Sequence, residues 1–139
     1  MTPKEVLATM LEKDEFTKWL GLKIDKIESG YCSLHFKVKK EMLNGFHSIH
    51  GGVIFSASDS ALAFAANSHG SIAVALDVSI TFTKPAKEGD VLYVEAKENH
   101  LGNKTALYDI QTKDSEGNLI ALFKGTVYRT GKEIVKNQI

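Results

Sequence analysis

Cysteine is nearly absent. The 139 residues include one, Cys32, and a single thiol cannot close an internal disulfide. A reducing compartment therefore suits the chain, and a cytoplasmic location is expected. An excess of charge of either sign is also lacking. Lys plus Arg and Asp plus Glu stand at 17 each, so there is no basic face to suggest nucleic acid. A net charge near zero also removes one barrier to self-association. Apolar runs of about 18 residues, as a membrane span needs, are missing, because Asp59 interrupts the best candidate. No charged segment followed by a long apolar stretch opens the sequence, so no secretory leader is expected. His35, His47, His50, His69 and His100 show no metal-ligand spacing, and no metal is implied. Internal repeats, linkers and low-complexity tracts are absent too.

What is present is a hydrophobic fraction of 43%, enough for a real core, in a length that fits one domain over 1–139. Thr2-Pro3-Lys4-Glu5 has the signature of a capped helix start. A helical segment is expected over 1–20, broken near Asp14 and stopped by Gly21. The period then changes to two. Leu22, Ile24 and Ile27 belong to a first strand, Ser29-Gly30 to a turn, and Tyr31–Lys39 to a second strand. On that second strand Cys32, Leu34, Phe36 and Val38 share a face, which makes Cys32 a core side chain rather than a nucleophile. A polar, glycine-containing loop over 42–52 follows. Val53–Asn67 reads as a helix of about four turns, apolar almost all round and hence buried. Four strand-like runs complete the chain, over 71–83, 90–100, 104–113 and 118–130. Tight turns at Leu101-Gly102-Asn103 and Asp114-Ser115-Glu116-Gly117 suit antiparallel hairpins. The fold class is α+β: an antiparallel sheet of about six strands around one central helix.

Asp59 does not belong to that pattern. It sits mid-way along the most apolar helix, flanked one turn away by Phe55, Ser56, Leu62 and Ala63. Burying an unpaired carboxylate costs several kcal/mol or raises its pKa. A functional acid in a cleft and a structural acid with a partner, or one reaching solvent, are both open on this ground. At the helix start, His50-Gly51-Gly52 lacks side chains at two positions, so a ligand can approach the backbone. The first N–H groups of a helix have no internal acceptor and can polarise a carbonyl; a simple turn is the alternative. Gly51 and Asp59 are eight residues apart, about 12 Å along the axis. One helix cannot bring both groups to one carbonyl carbon. If they act together, two antiparallel copies in a two-fold dimer must form the site.

The run Asn44-Gly45-Phe46-His47-Ser48-Ile49-His50-Gly51-Gly52 through Asp59 resembles the signature of hotdog-fold acyl-CoA thioesterases of the PaaI type, associated with phenylacetate degradation. The segments 75–86, 108–110 and 121–125 fit it as well. The resemblance implies a hotdog fold and hydrolysis of an acyl- or aryl-CoA thioester to free acid and CoA. By the same resemblance Asp59 is the nucleophile or the general base that activates water. Gly51 donates its N–H to the thioester oxygen, Asn44 positions water or substrate, and His50 orients the thioester end. Gly52 and Ala75 belong to the substrate-binding set. Ala75 is a departure, because some relatives have Ser or Thr there. Coenzyme A is the substrate's carrier, so no cofactor is implied, and a homo-oligomer, dimer or tetramer, is expected. Lys84, Lys104 and Lys124 could meet CoA phosphates, although lysines beside turns are usually solvated. Two other readings stay open: a hotdog-fold hydratase or dehydratase using His47 or His50, and a non-catalytic acyl-CoA-binding module.

Overall fold

The computed structural model describes residues 1–136; the last three residues of the expected 1–139 domain lie outside them. Helix α1 covers Pro3–Leu11, and the Thr2 side chain accepts the Glu5 N–H. Helix α2, Glu15–Leu20, starts at Asp14, whose carboxylate accepts from the Thr17 N–H and hydroxyl. It ends at Gly21 in the left-handed region, as the expected break and stop required.

Six strands form one sheet in the order β1-β2-β4-β5-β6-β3. They are β1 Lys23–Glu28, β2 Tyr31–Lys37, β3 Ser71–Phe82, β4 Val91–Leu101, β5 Thr105–Lys113 and β6 Leu119–Glu133. Every neighbouring pair is antiparallel. The long helix α3, Gly51–Asn67, lies against the concave face. Leu34, Phe36, Leu92, Val94, Ile110 and Phe123 point at it from the sheet and are fully buried. Ala57, Ala61, Leu62, Phe64 and Ala65 answer from the helix. The small alanine side chains let the sheet curl closely round the helix. This is the hotdog arrangement that the resemblance implied.

Four local expectations need correction. The helix starts at Gly51 and not Val53, because His50 caps it and both glycines take helical positions. The loop before it is partly ordered by a short 3-10 turn, Lys40–Met42, and a bridge between Leu43 and Ile49. The odd spacing of Ile24 and Ile27 on β1 reflects a bulge between Ile24 and Lys26, which reverses which side chains face the core. A second bulge interrupts β3 between Ala75 and Asp77. Strict alternation from Ile72 to Phe82 would have placed Val74, Leu76 and Phe82 on one face. Instead Ala73 and Ala75 pair with Arg129 and Val127 before the bulge, and Val78 and Ile80 pair with Gly125 and Phe123 after it. Leu76 is left between them, 62% exposed.

Nor is α3 buried all round. Ile54, Ala57, Ser58, Ala61, Leu62 and Phe64 are covered, but Gly52 is exposed and a stripe through Phe55, Ser56, Asp59, Ser60 and Ala63 is only partly covered. The helix has one side that its own sheet does not reach, and Asp59 is on it.

Candidate active site

Asp59 is half-buried, and among the described residues its carboxylate has no hydrogen-bond or ion-pair partner. Burial raises its pKa above the ordinary Asp value of 3.8, because charge is poorly solvated there. The carboxylate borders a cavity of about 410 Å³ between the second half of α3, the first half of β3 and the chain termini. Ala63, Ala73 and Ala75 line the same cavity, so the structure brings Ala75 and Asp59 together across the helix–strand contact. With Ala75 in place of a hydroxyl residue, that wall offers Asp59 no side-chain donor.

The other candidates gather at the N-terminus of α3. The His50 Nδ1 accepts the Gly52 N–H at 2.8 Å, so the ring caps the helix. The preceding Gly51 N–H finds no acceptor among the described residues, leaving an orphan donor at the positive end of the helix. A side chain at Gly51 would strike the Phe82 ring, since an added Cβ would lie 2.9 Å from Cζ. Glycine accommodates this close approach without moving the ring. The Ile49 N–H donates to the Ala86 carbonyl at 2.8 Å, tying the approach to the helix to the segment after β3.

Asn44 organises the loop. Its Oδ1 accepts the Phe46 N–H at 2.8 Å and the Ser48 N–H at 3.2 Å, and its own N–H donates to the Ser48 carbonyl. Its side-chain NH₂ has no partner among the described residues and can donate to a ligand or water. His47, the one described non-glycine residue at positive φ (59°), turns the loop and is exposed.

The two clusters stay apart within one chain: the Asp59 carboxylate with Ala75, and Gly51, Gly52, His50 and Asn44 about 12 Å away along α3. The geometry sets an unpartnered acid in an apolar wall at the middle of α3 and an unpaired N–H on the helix dipole at its start, two groups of the kind that acyl transfer uses.

A family model described as the thioesterase superfamily matches residues 46–121, which include both Gly51 and Asp59. The chain belongs to the thioesterase superfamily. The Escherichia coli acyl-coenzyme A thioesterase PaaI is 39% identical over 125 residues, covering 90% of this chain and 89% of that one. Its solved structure superposes with a TM-score of 0.93 at 37% identity, covering 96% of each chain. A protein of Archaeoglobus fulgidus carried under a provisional esterase name is 48% identical over 124 residues, covering 89% of this chain and 80% of that one. A hypothetical thioesterase of Streptococcus pneumoniae, solved with coenzyme A, gives a TM-score of 0.79 at 28% identity, covering 81% and 88% of the two chains. Two variants of the pneumococcal protein replace an aspartate and a threonine by alanine. Those two positions are sixteen apart, the interval that separates Asp59 from Ala75 here.

Within this thioesterase-superfamily chain, three of the remaining polar candidates, His35, His69 and Lys84, have local partners. Cys32 is fully buried, and burial pushes its thiol up to about 12, so it is core packing as its strand position indicated. His35 pairs with Asp25 at 2.9 Å, and His69 with Glu98 at 2.6 Å. Lys84 pairs with Asp114 at 3.3 Å. Among the described residues no three His, Cys, Asp or Glu cluster as a metal set, and no helix is long and apolar enough to cross a membrane.

Two residues that position the site had no distinct signal in the sequence. Phe82, read as one more member of an alternating strand, is the ring against Gly51. Asn67, read as the last helical residue, donates through Nδ2 to the Ala63 and Ala73 carbonyls and accepts the Ala73 N–H. It thereby fixes β3 against the end of α3.

Proposed function

We propose that the protein hydrolyses the thioester of an acyl- or aryl-CoA to the free acid and CoA in a site shared by two copies of the chain. The observation that carries this is the unpartnered Asp59 carboxylate, raised in pKa, at an apolar cavity. A base is most effective when its pKa approaches the working pH, and burial moves Asp59 that way. The names of the Escherichia coli and pneumococcal relatives support a CoA thioester as substrate. The Escherichia coli relative comes from a phenylacetic acid degradation operon, which makes phenylacetyl-CoA one candidate. The matching sixteen-residue interval in the pneumococcal variants supports Asp59 as the reactive acid and Ala75 as part of the substrate-binding wall.

In the proposed reaction the thioester carbonyl oxygen accepts the Gly51 N–H of one copy, with Gly52 leaving the backbone accessible. Asp59 of the other copy takes the proton of the attacking water or attacks the carbonyl carbon itself. Asn44 holds water or substrate through its free NH₂. His50 orients the thioester end by fixing the helix start. With Asp59 as base, the thiolate of CoA leaves and takes up the proton held by Asp59 as the acid is released; with Asp59 as nucleophile, the thiolate leaves as a mixed anhydride forms, and water then hydrolyses that anhydride to the free acid and the restored carboxylate.

The dimer has a ready surface. β3 is an edge strand of the sheet, and Val74, Leu76 and Phe82 on it are 50%, 62% and 51% exposed. Long apolar edges normally pair with another chain. A second β3, antiparallel about a two-fold axis, would extend the sheet and set the two α3 helices side by side. A cytoplasmic site of action belongs to the same proposal, in keeping with one buried thiol and a CoA substrate.

The test uses thiol release and two variants, Asp59→Asn and Gly51→Val. Each alone should lose about 100-fold or more in kcat/KM. Mixed and re-equilibrated, they should regain roughly a quarter of wild-type activity, because half the dimers are mixed and one of two sites in each is intact. No recovery in demonstrably mixed dimers would remove the shared site, and full activity in Asp59→Asn would remove the acid from the chemistry.

A further inference from the structure

Phe46 is the most exposed large apolar side chain among the described residues, at 89%. The backbone that carries it is firmly held. Leu43 and Ile49 bridge the base of its loop. Above the bridge the Asn44 N–H donates to the Ser48 carbonyl at 2.7 Å, and the His47 N–H to the Asn44 carbonyl at 3.2 Å. The Asn44 Oδ1 accepts the Phe46 N–H at 2.8 Å and the Ser48 N–H at 3.2 Å. His47 closes the turn at φ 59°, in the left-handed region that is unfavourable for any residue with a side chain. Met42 and Ile49 anchor the loop in the core, while Gly45, Phe46 and His47 are exposed. A strained, internally bonded loop thus holds a phenyl ring out in water, where its burial energy goes unused.

The proposed two-fold arrangement gives that ring a place. An axis that sets Gly51 level with the partner's Asp59 crosses α3 at Phe55, four residues from each. The base of the loop, at Ile49 and His50, then falls just past the partner's Asp59, where the second half of that helix begins. The tip stands three residues above the Leu43–Ile49 bridge, about 10 Å. The second half of α3, from Asp59 to Asn67, is about 12 Å long, so the ring has the reach to lie over it. This is also where α3 is open. Asp59, Ser60 and Ala63 are only partly covered, and Leu62, Ala63 and Ala66 wall the cavity beside the carboxylate. An uncovered ring on one copy meets an uncovered apolar crevice on the other.

We propose that Phe46 acts across the dimer, its ring closing the partner's Asp59 crevice over the bound thioester and shielding the reaction from bulk water. The proposal rests on the shared-site reading and adds a residue to it. Phe46 belongs to the same loop as Asn44 and Gly51, so each complete site takes its N–H donor, its carboxamide and its aromatic cover from one chain and its acid from the other. Excluding water strengthens the electrostatic interactions inside the site. Fully burying a phenyl side chain is worth about a tenfold to hundredfold change in an equilibrium, which sets the size of the effect.

The experiment begins with Phe46→Ser, which removes the ring and leaves the loop's bonds in place, because Phe46 joins them through its backbone N–H alone. Its kcat/KM for octanoyl-CoA, read by thiol release, should fall about tenfold or more, and Phe46→Leu should keep most of the activity. Wild-type kinetics in Phe46→Ser would overturn the proposal. Mixed dimers of Asp59→Asn and Gly51→Val show which copy the ring serves, since their intact site draws Gly51 from the Asp59→Asn chain. Adding Phe46→Ser to that chain should cut the recovered activity about tenfold, whereas on the Gly51→Val chain it falls in the dead site. A loss only in the second case would put the ring in its own copy's site and overturn the action across the dimer. A reporter separates this idea from the reaction itself. Trp19 is the sole tryptophan, so Trp19→Phe with Phe46→Trp, built on Asp59→Asn, carries one indole at the loop tip. Saturating octanoyl-CoA, with binding followed by calorimetry, should shift its emission to the blue and protect it from acrylamide. That protection in a protein whose wild-type form hydrolyses no ester would overturn the thioesterase reading and leave the cover. An indole equally open to quencher with and without bound octanoyl-CoA would overturn the cover, whether or not esters are hydrolysed.

Discussion

The His50 ring and the Gly52 amide are locked together at the start of α3, Nδ1 accepting the Gly52 N–H at 2.8 Å. This bond uses the second orphan amide of the helix and leaves the first, at Gly51, unengaged. It also places the proton of a neutral ring on Nε2.

If His50 acts by holding the helix start, another good cap should replace it. Asn is among the best N-caps. His50→Ala should lose about 1 kcal/mol of stability and about tenfold in kcat/KM. His50→Asn should recover most of both. An Asn variant as stable as wild type but as inactive as the Ala variant would assign the imidazole a direct contact with substrate. Urea melts and thiol-release kinetics measure the two quantities.

Asp59 gives a prediction of opposite sign for stability and activity. Its pKa is raised in the folded chain by burial, so the folded state binds the proton more tightly than the unfolded one. The contribution of Asp59 to stability is therefore highest below the unfolded value of 3.8 and is lost as pH rises through the folded pKa. Asp59→Asn should raise Tm at pH 7 by a few degrees, about 4 °C for each kcal/mol in a domain of this size. The gain should vanish as pH falls toward 3.8. Wild-type kcat/KM should fall with decreasing pH on a limb whose midpoint lies above 3.8. Scanning calorimetry across pH checks the first, and a pH–rate profile the second.

Gly51 and Phe82 should behave as a coupled pair. An alanine Cβ at Gly51 would lie 2.9 Å from the ring, so the ring or the helix start must move. Gly51→Ala should reduce kcat/KM by about 10- to 100-fold and lower Tm. Phe82→Leu shortens the side chain, and in the double variant part of the Tm loss should return. A double-mutant cycle with additive stability effects would mean that the contact carries no strain.

Away from the site, Glu98 holds the end of α3 to the sheet. Its Oε2 accepts from the Tyr108 hydroxyl at 2.6 Å and meets His69 Nε2 at 2.6 Å. Burial alone would raise its pKa, but these bonds to Tyr108 and His69 outweigh it and hold the carboxyl below its ordinary 4.5. The bonds stabilise the fold above pH 4.5, the unfolded value, and that contribution is lost as pH falls through the lower folded value. Glu98→Ala leaves the buried Tyr108 hydroxyl without its acceptor and should cost about 1–3 kcal/mol at pH 7. The difference from wild type should shrink in acid, read by denaturant melts at pH 7 and pH 3.5.

Much of this protein could be read directly from residue order. Two-residue alternation placed Leu34, Phe36, Leu92, Val94 and Ile110 in the core, and capping and turn residues marked the helix ends and hairpins, because these patterns are local. A carboxylate in an apolar helix was visible as an anomaly for the same reason. Tertiary structure decided the rest. The bulge between Ala75 and Asp77 leaves Leu76 outside, and an inserted residue in a ladder is defined only by the partner strand, here β6. Phe82 against Gly51, Asn67 across to Ala73, and Met10 reaching the Asp59 cavity join residues from 6 to 49 positions apart. Such contacts arise from packing the sheet around one helix, and no local sequence pattern encodes which side of that helix the sheet leaves open.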